Sequence, residues 1–72
     1  MSWKNAMENN KLIKVVSCYL MQGDKIVDFW LNMYFENGDS TDMTFKTQSE
    51  MIFEILSCIR QGAIYSVEIY DA

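Results

Sequence analysis

At 72 residues, half of them hydrophobic and 22% charged, the chain has room for one sheet and one helix in one domain, and none for a deep catalytic pocket. Ten acids against six bases leave a net charge of −4, which excludes the basic footprint of a nucleic-acid binder and suits a basic protein partner. No apolar run approaches the ~20 residues that span a bilayer, and residues 1–10 are too polar for a signal peptide, so no membrane contact is expected and the expected compartment is the cytoplasm.

Residues 1–10 read as an N-terminal arm, in which Trp3 and Met7 stand one helical turn apart, and 11–72 as a single α+β domain. Lys11 to Gln22 is rich in Val, Ile, Leu and Tyr and reads as a strand. Gly23-Asp24 is a hairpin turn. Lys25 to Glu36 then alternates strictly: Val27, Phe29, Leu31, Met33 and Phe35 on one face, Asp28, Trp30, Asn32, Tyr34 and Glu36 on the other. Asn37-Gly38 signals a second hairpin, leading to a strand over Ser40 to Lys46. A three-residue loop, Asn37-Gly38-Asp39, sets Phe35, Met33 and Leu31 opposite Thr41, Met43 and Phe45, which matches apolar to apolar.

Thr47-Gln48-Ser49-Glu50 has the pattern of a capping box, in which hydroxyl and carboxylate each satisfy a free backbone N–H. Ile52, Ile55, Leu56 and Ile59 follow at helical spacing with Met51 on the flank, and Glu54 is expected in solvent. Arg60 complements the helix dipole, and Gly62 is placed as the C-terminal cap. Ile64 to Tyr70 is a last strand, with Tyr65, Val67 and Ile69 alternating against Ser66 and Glu68. The expected fold is β-β-β-α-β, an antiparallel meander covered on one face by a single helix.

One helix leaves one sheet face bare. Pairing under the first turn sets Tyr19 opposite Asp28 and Ser17 opposite Trp30. That places Leu12, Val16, Cys18 and Leu20 with the helix, and Ile13, Val15, Tyr19, Met21 and Ile26 with Trp30 and Tyr34 on the bare face. So apolar a face calls for cover. The Trp3 arm, a second copy packed sheet to sheet, or a different protein would each supply it.

Catalysis lacks its parts. The chain has no histidine, so the commonest general base is missing and neither Cys18 nor Cys58 has an activating partner. Both cysteines read as reduced, buried hydrophobes, too far apart in sequence for a metal motif. Asn37, Asp39 and Thr41 copy part of a calcium loop, but Asp42 stands where glycine is needed and Gln48 where glutamate is needed. No enzyme activity, metal or cofactor is expected.

What remains is binding. Asp28, Glu36, Asp39 and Asp42 collect on the second hairpin, beside Trp30 and Tyr34 as apolar anchors. Carboxylates spaced along a hairpin can stand in for phosphates in the basic groove of a nucleic-acid-binding protein.

From Ile26 to Gly62 the chain resembles the small phage-encoded anti-CRISPR proteins that inhibit Cas nucleases. The resemblance runs through the apolar strand Ile26–Glu36, the acidic turn Asn37-Gly38-Asp39, the short strand Met43–Lys46, the capping sequence Thr47-Gln48-Ser49-Glu50 and the helix Ile52–Gly62. It covers about half of the chain. It implies a non-catalytic inhibitor of a Cas nuclease complex. Two other expectations stand beside it: a homodimeric assembly module using the bare aromatic face, and a toxin-neutralising immunity protein.

Overall fold

The computed structural model describes residues 10–72, and the expected arm, Trp3 included, lies outside the described residues. In chain order the elements are β1 (Leu12–Gln22), β2 (Lys25–Phe35), β3 (Ser40–Thr44), α1 (Gln48–Arg60) and β4 (Ile64–Asp71). They form a four-stranded sheet of order β3-β2-β1-β4 with one helix, an α+β fold. The first three strands are the antiparallel meander read from the sequence. β4 returns beside β1 and parallel to it, so the sheet is mixed.

Local chemistry sets the turns. Gln22 pairs with Lys25 around Gly23-Asp24, with Gly23 at φ +64° in the first loop position. In the second hairpin the Gly38 N–H donates to the Phe35 carbonyl (3.0 Å) and the Phe35 N–H to the Asp39 carbonyl (2.9 Å). Gly38 has φ +94°, the left-handed conformation that ends a three-residue loop with a bulge. The loop is thus Glu36-Asn37-Gly38, one residue earlier than the sequence reading. Leu31 pairs with Met43 and Met33 with Thr41, a two-residue slide that keeps every side chain on its expected face.

The first hairpin departs further. Its turn pairs Met21 with Ile26 as expected, but Val27 is then skipped and Leu20 pairs with Asp28. This bulge shifts the register by one. Cys18 therefore pairs with Trp30 and Tyr19 with Phe29, and the expected pairs Tyr19–Asp28 and Ser17–Trp30 do not form. A one-residue shift exchanges the two faces of β1. Val15, Ser17 and Tyr19 lie on the helix side; Val16, Cys18 and Leu20 lie on the outer side. A second irregularity, at Ile13, restores the phase so that Leu12 also reaches the core.

The core joins Leu12, Val15, Leu31, Met33 and Phe35 of the sheet to Met51, Ile55 and Cys58 of α1, closed by Ala63. Burying side chains of this size contributes about 1.5–3 kcal/mol each. Ser17 is buried on this side, its hydroxyl hydrogen-bonded to the Tyr65 hydroxyl at 2.8 Å. The inward stripe of α1 is Met51–Ile55–Cys58, whereas Ile52, Leu56 and Ile59 are turned outward, contrary to the sequence reading. Met51, flexible enough to fill irregular gaps, and Cys58, a small hydrophobe, take the inward positions beside Ile55. Glu54, expected in solvent, is half-buried, with its carboxylate 3.8 Å from the Cys58 thiol.

Both ends of α1 are capped. The Glu50 N–H donates to Thr47 Oγ1 (3.2 Å), while the Thr47 hydroxyl donates to the Glu50 carboxylate (3.1 Å) rather than the carboxylate reaching a backbone N–H. At the other end the Ala63 N–H bonds the Cys58 carbonyl and the Gly62 N–H bonds the Ile59 carbonyl, a Schellman motif with Gly62 at φ +95°.

Thirteen residues make a helix of about 20 Å, against about 36 Å for the eleven-residue strands. The helix covers the end of the sheet near Leu12 and Phe35. The first hairpin and the end of β4 extend past it, which leaves Val27, Val67 and Ile69 exposed.

Candidate functional site

The outer sheet face carries the candidate site, and the pairing fixes its layout. Tyr34 stands between Ser40 and Lys14; Asn32 between Asp42 and Val16; Trp30 between Thr44 and Cys18; and Asp28 beside Leu20. β4 extends these rows with Ser66 beside Val16, Glu68 beside Cys18 and Tyr70 beside Leu20.

Trp30 and Tyr70 stack with ring centroids 6.0 Å apart and planes 13° from parallel. They belong to strands separated by β1, so the stack crosses β1 at the level of Cys18 and Leu20. Val16 and Cys18 are inaccessible on this face, the one opposite α1, and the Asn32 amide donates to the Cys18 sulfur at 3.4 Å. The Lys14 ammonium sits 5.8 Å from the centre of the Tyr34 ring, within cation–π range.

The electrostatics are negative. Burial first, then the Glu68 and Asp42 carboxylates, push the Cys18 thiol above its ordinary value of 9.0. Those two acids come from opposite edges of the sheet and converge on the same central residue. Tyr70 is also raised above its ordinary 10.0, chiefly by the Glu68 charge, then by desolvation and by its own hydrogen bond to Glu68 (3.2 Å), with Cys18 and Tyr34 adding to it.

No protein-family model, curated protein or solved structure matches the chain.

Of the six expected contact residues, Asp28, Trp30, Tyr34 and Asp42 share the outer face. Glu36 and Asp39 do not join them, for Glu36 lies in the second turn and Asp39 follows it, opposite Phe35. There the Glu36 N–H donates to the Lys11 carbonyl (2.8 Å) and the Asn37 N–H to the Asn10 side chain (3.1 Å). The Asp39 carboxylate accepts from the Asn37 amide at 2.9 Å. The hairpin tip is thus tied to the start of β1 rather than free beyond the sheet.

Sequence reasoning missed Glu68 and Tyr70. The alternation of β4 was visible, but its place beside β1 was not, and only that place brings the two under Trp30. Among the described residues no group of three or more histidine, cysteine, aspartate or glutamate side chains is placed to hold a metal ion. Among the same residues no helix is long and apolar enough to cross a membrane.

Proposed function

We propose that this protein is a non-catalytic inhibitor that docks its outer sheet face on a basic surface of a nucleic-acid-binding protein. The observation that carries the reading is the Trp30–Tyr70 stack flanked by Asp28, Asp42 and Glu68, contributed by three different strands. Aromatic rings are the commonest energetic anchors of protein interfaces, and rim carboxylates steer a basic partner into contact. The one cation among these rows, Lys14, is engaged with the Tyr34 ring, so the face offers an incoming phosphate little and an arginine-rich groove a good deal. The anti-CRISPR resemblance makes a Cas nuclease complex in the cytoplasm of an infected cell the first target to try.

The test is capture from host lysate on tagged protein, eluted separately by salt and by competing nucleic acid. Recovery of a nucleic-acid-binding protein released by both supports the reading. Recovery only of partners indifferent to both discards it.

A further inference from the structure

The two edges of the sheet are unlike. β3 is five residues long and carries Asp42 in its middle, a short, charged edge of the kind that resists pairing. β4 is eight residues long, unbroken in its register with β1, without proline or lysine, and with one charge, Glu68, between Ile64 and Tyr70. Among the described residues none of the usual protections of an edge strand is present there. Ile64 and Ile69 are 70% and 67% exposed, and Val67 is 49% exposed.

From this geometry we infer that β4 pairs antiparallel with β4 of a second copy, joining two sheets into one of eight strands. A two-fold axis normal to the sheet keeps opposed side chains on a common face, so only registers that pair odd with odd and even with even residues are open. With Val67 opposite Val67, Tyr65 meets Ile69, Ile64 meets Tyr70 and Ser66 meets Glu68. Both large pairs are aromatic against β-branched, the combination that sheets favour. Sliding one way puts Glu68 against Glu68; sliding the other puts Ile64 against Glu68 and leaves Ile69 and Tyr70 unpaired. One register therefore satisfies the whole strand, and the strand is its own complement.

The helix supports the same contact. β3 and β4 are parallel, and with the right-handed crossover that is the general rule for such connections, the flank Ile52–Leu56–Ile59 would face β4. These three are 43–50% exposed and stand over the side of the sheet that carries Tyr65, Val67 and Ile69. Together with Ile64, Val67 and Ile69 of the β4 edge they make six apolar side chains that are 43–70% exposed, the kind of contiguous apolar surface that calls for a partner. A second copy thus covers edge and flank at once. The inference is argued from the edge and not from the docking reading, although Glu68 and Tyr70 of the docking face stand at the seam, and it leaves two outer faces side by side.

Sedimentation of the full chain up to millimolar concentration tests it, with far-UV circular dichroism to check each variant's fold. The expected result is a reversible dimer. Ser66→Lys, which sets a cation against Glu68 at two symmetric places, should tighten the dimer about tenfold, and Ser66→Glu should loosen it by a similar factor. Val67→Cys should cross-link under mild oxidation, because directly opposed Cα atoms at about 4.5–5.5 Å suit a disulfide. Val27→Cys, equally exposed at the first hairpin, should not. A monomer throughout, a dimer indifferent to the charge at position 66, or cross-linking as ready at position 27 as at 67 would overturn the inference.

Discussion

Trp30 and Tyr70 stack across β1, 40 positions apart in the chain, with 6.0 Å between ring centres. The contact ties the middle of the meander to the final strand on the face that the helix leaves bare. It is therefore both a fastening for β4 and the apolar centre of the proposed docking surface. In a double-mutant cycle of Trp30→Ala and Tyr70→Ala, unfolding in denaturant should show a coupling of about 0.5–1.5 kcal/mol. A coupling indistinguishable from zero would mean that the rings do not support each other.

Against a captured partner, Trp30→Ala should cost more than ~2 kcal/mol of binding, the behaviour of an interface anchor. Titration calorimetry would read it. A loss below ~0.5 kcal/mol would remove Trp30 from the interface.

The element order, the capped helix and the two turns could be read from the sequence because each depends on neighbours in the chain. Thr47, Glu50 and Gly62 act within one helix, and Gly38 within one hairpin. The faces of β1 could not be read that way. The turn at Gly23 fixes the pairing of Met21 with Ile26, but the bulge at Val27 then sets Val15 and Tyr19 against the core and Val16 and Cys18 on the other face, and both sets are apolar enough to be buried, so alternation could not choose between them. Half of the site followed from the alternation of β2, since Asp28, Trp30 and Tyr34 keep one face in any register. Glu68 and Tyr70 depend on where β4 docks, a contact between residues far apart in the chain.

Charge on the outer face should act on association. Asp42→Lys and Glu68→Lys should each slow binding to a basic partner on the order of tenfold at low salt, with less effect on dissociation, and should flatten the salt dependence. Stopped-flow or surface-plasmon kinetics at several ionic strengths would show it. Unchanged on-rates would remove the steering role while leaving the aromatic anchors untouched.

The helix caps should be felt in stability. Thr47→Ala leaves the Glu50 N–H without its acceptor and should cost about 1 kcal/mol, while Thr47→Ser should keep most of it. Gly62→Ala meets no atom within 4 Å of the new methyl group, so its cost is the backbone's alone, about 1–2 kcal/mol at φ +95°. If Gly62→Ala were neutral in chemical denaturation, the Schellman turn would not be held in the folded chain.

The core should tolerate little. Leu31 is fully buried between the sheet and α1, and Leu31→Ala should cost about 3–5 kcal/mol. A chain of this length has roughly 4–11 kcal/mol to lose, so the variant should be unfolded in a large fraction of molecules or melt at a much lower temperature. Near-native melting would mean that the cluster around Leu31 and Met51 is not the centre of stability.

Alkaline pH should weaken the fold through the outer face. Cys18 keeps its proton in the folded chain at pH values where the unfolded chain has lost it, because burial, Glu68 and Asp42 all oppose the thiolate. Its contribution to stability is thus fully present below about 9 and is lost as the pH rises through the higher folded-state value. Tyr70, raised chiefly by Glu68, acts with the same sign above its ordinary 10.0. Glu68→Gln removes the largest cause at Tyr70 and the second at Cys18. Stability measured in urea from neutral pH upward should therefore fall less steeply in Glu68→Gln than in the parent chain. Asp42→Asn should produce a smaller change of the same sign, confined to the Cys18 limb. Equal slopes in all three proteins would mean that the carboxylates from the two sides of the sheet do not act on Cys18, and the negative character assigned to this face would lose its support.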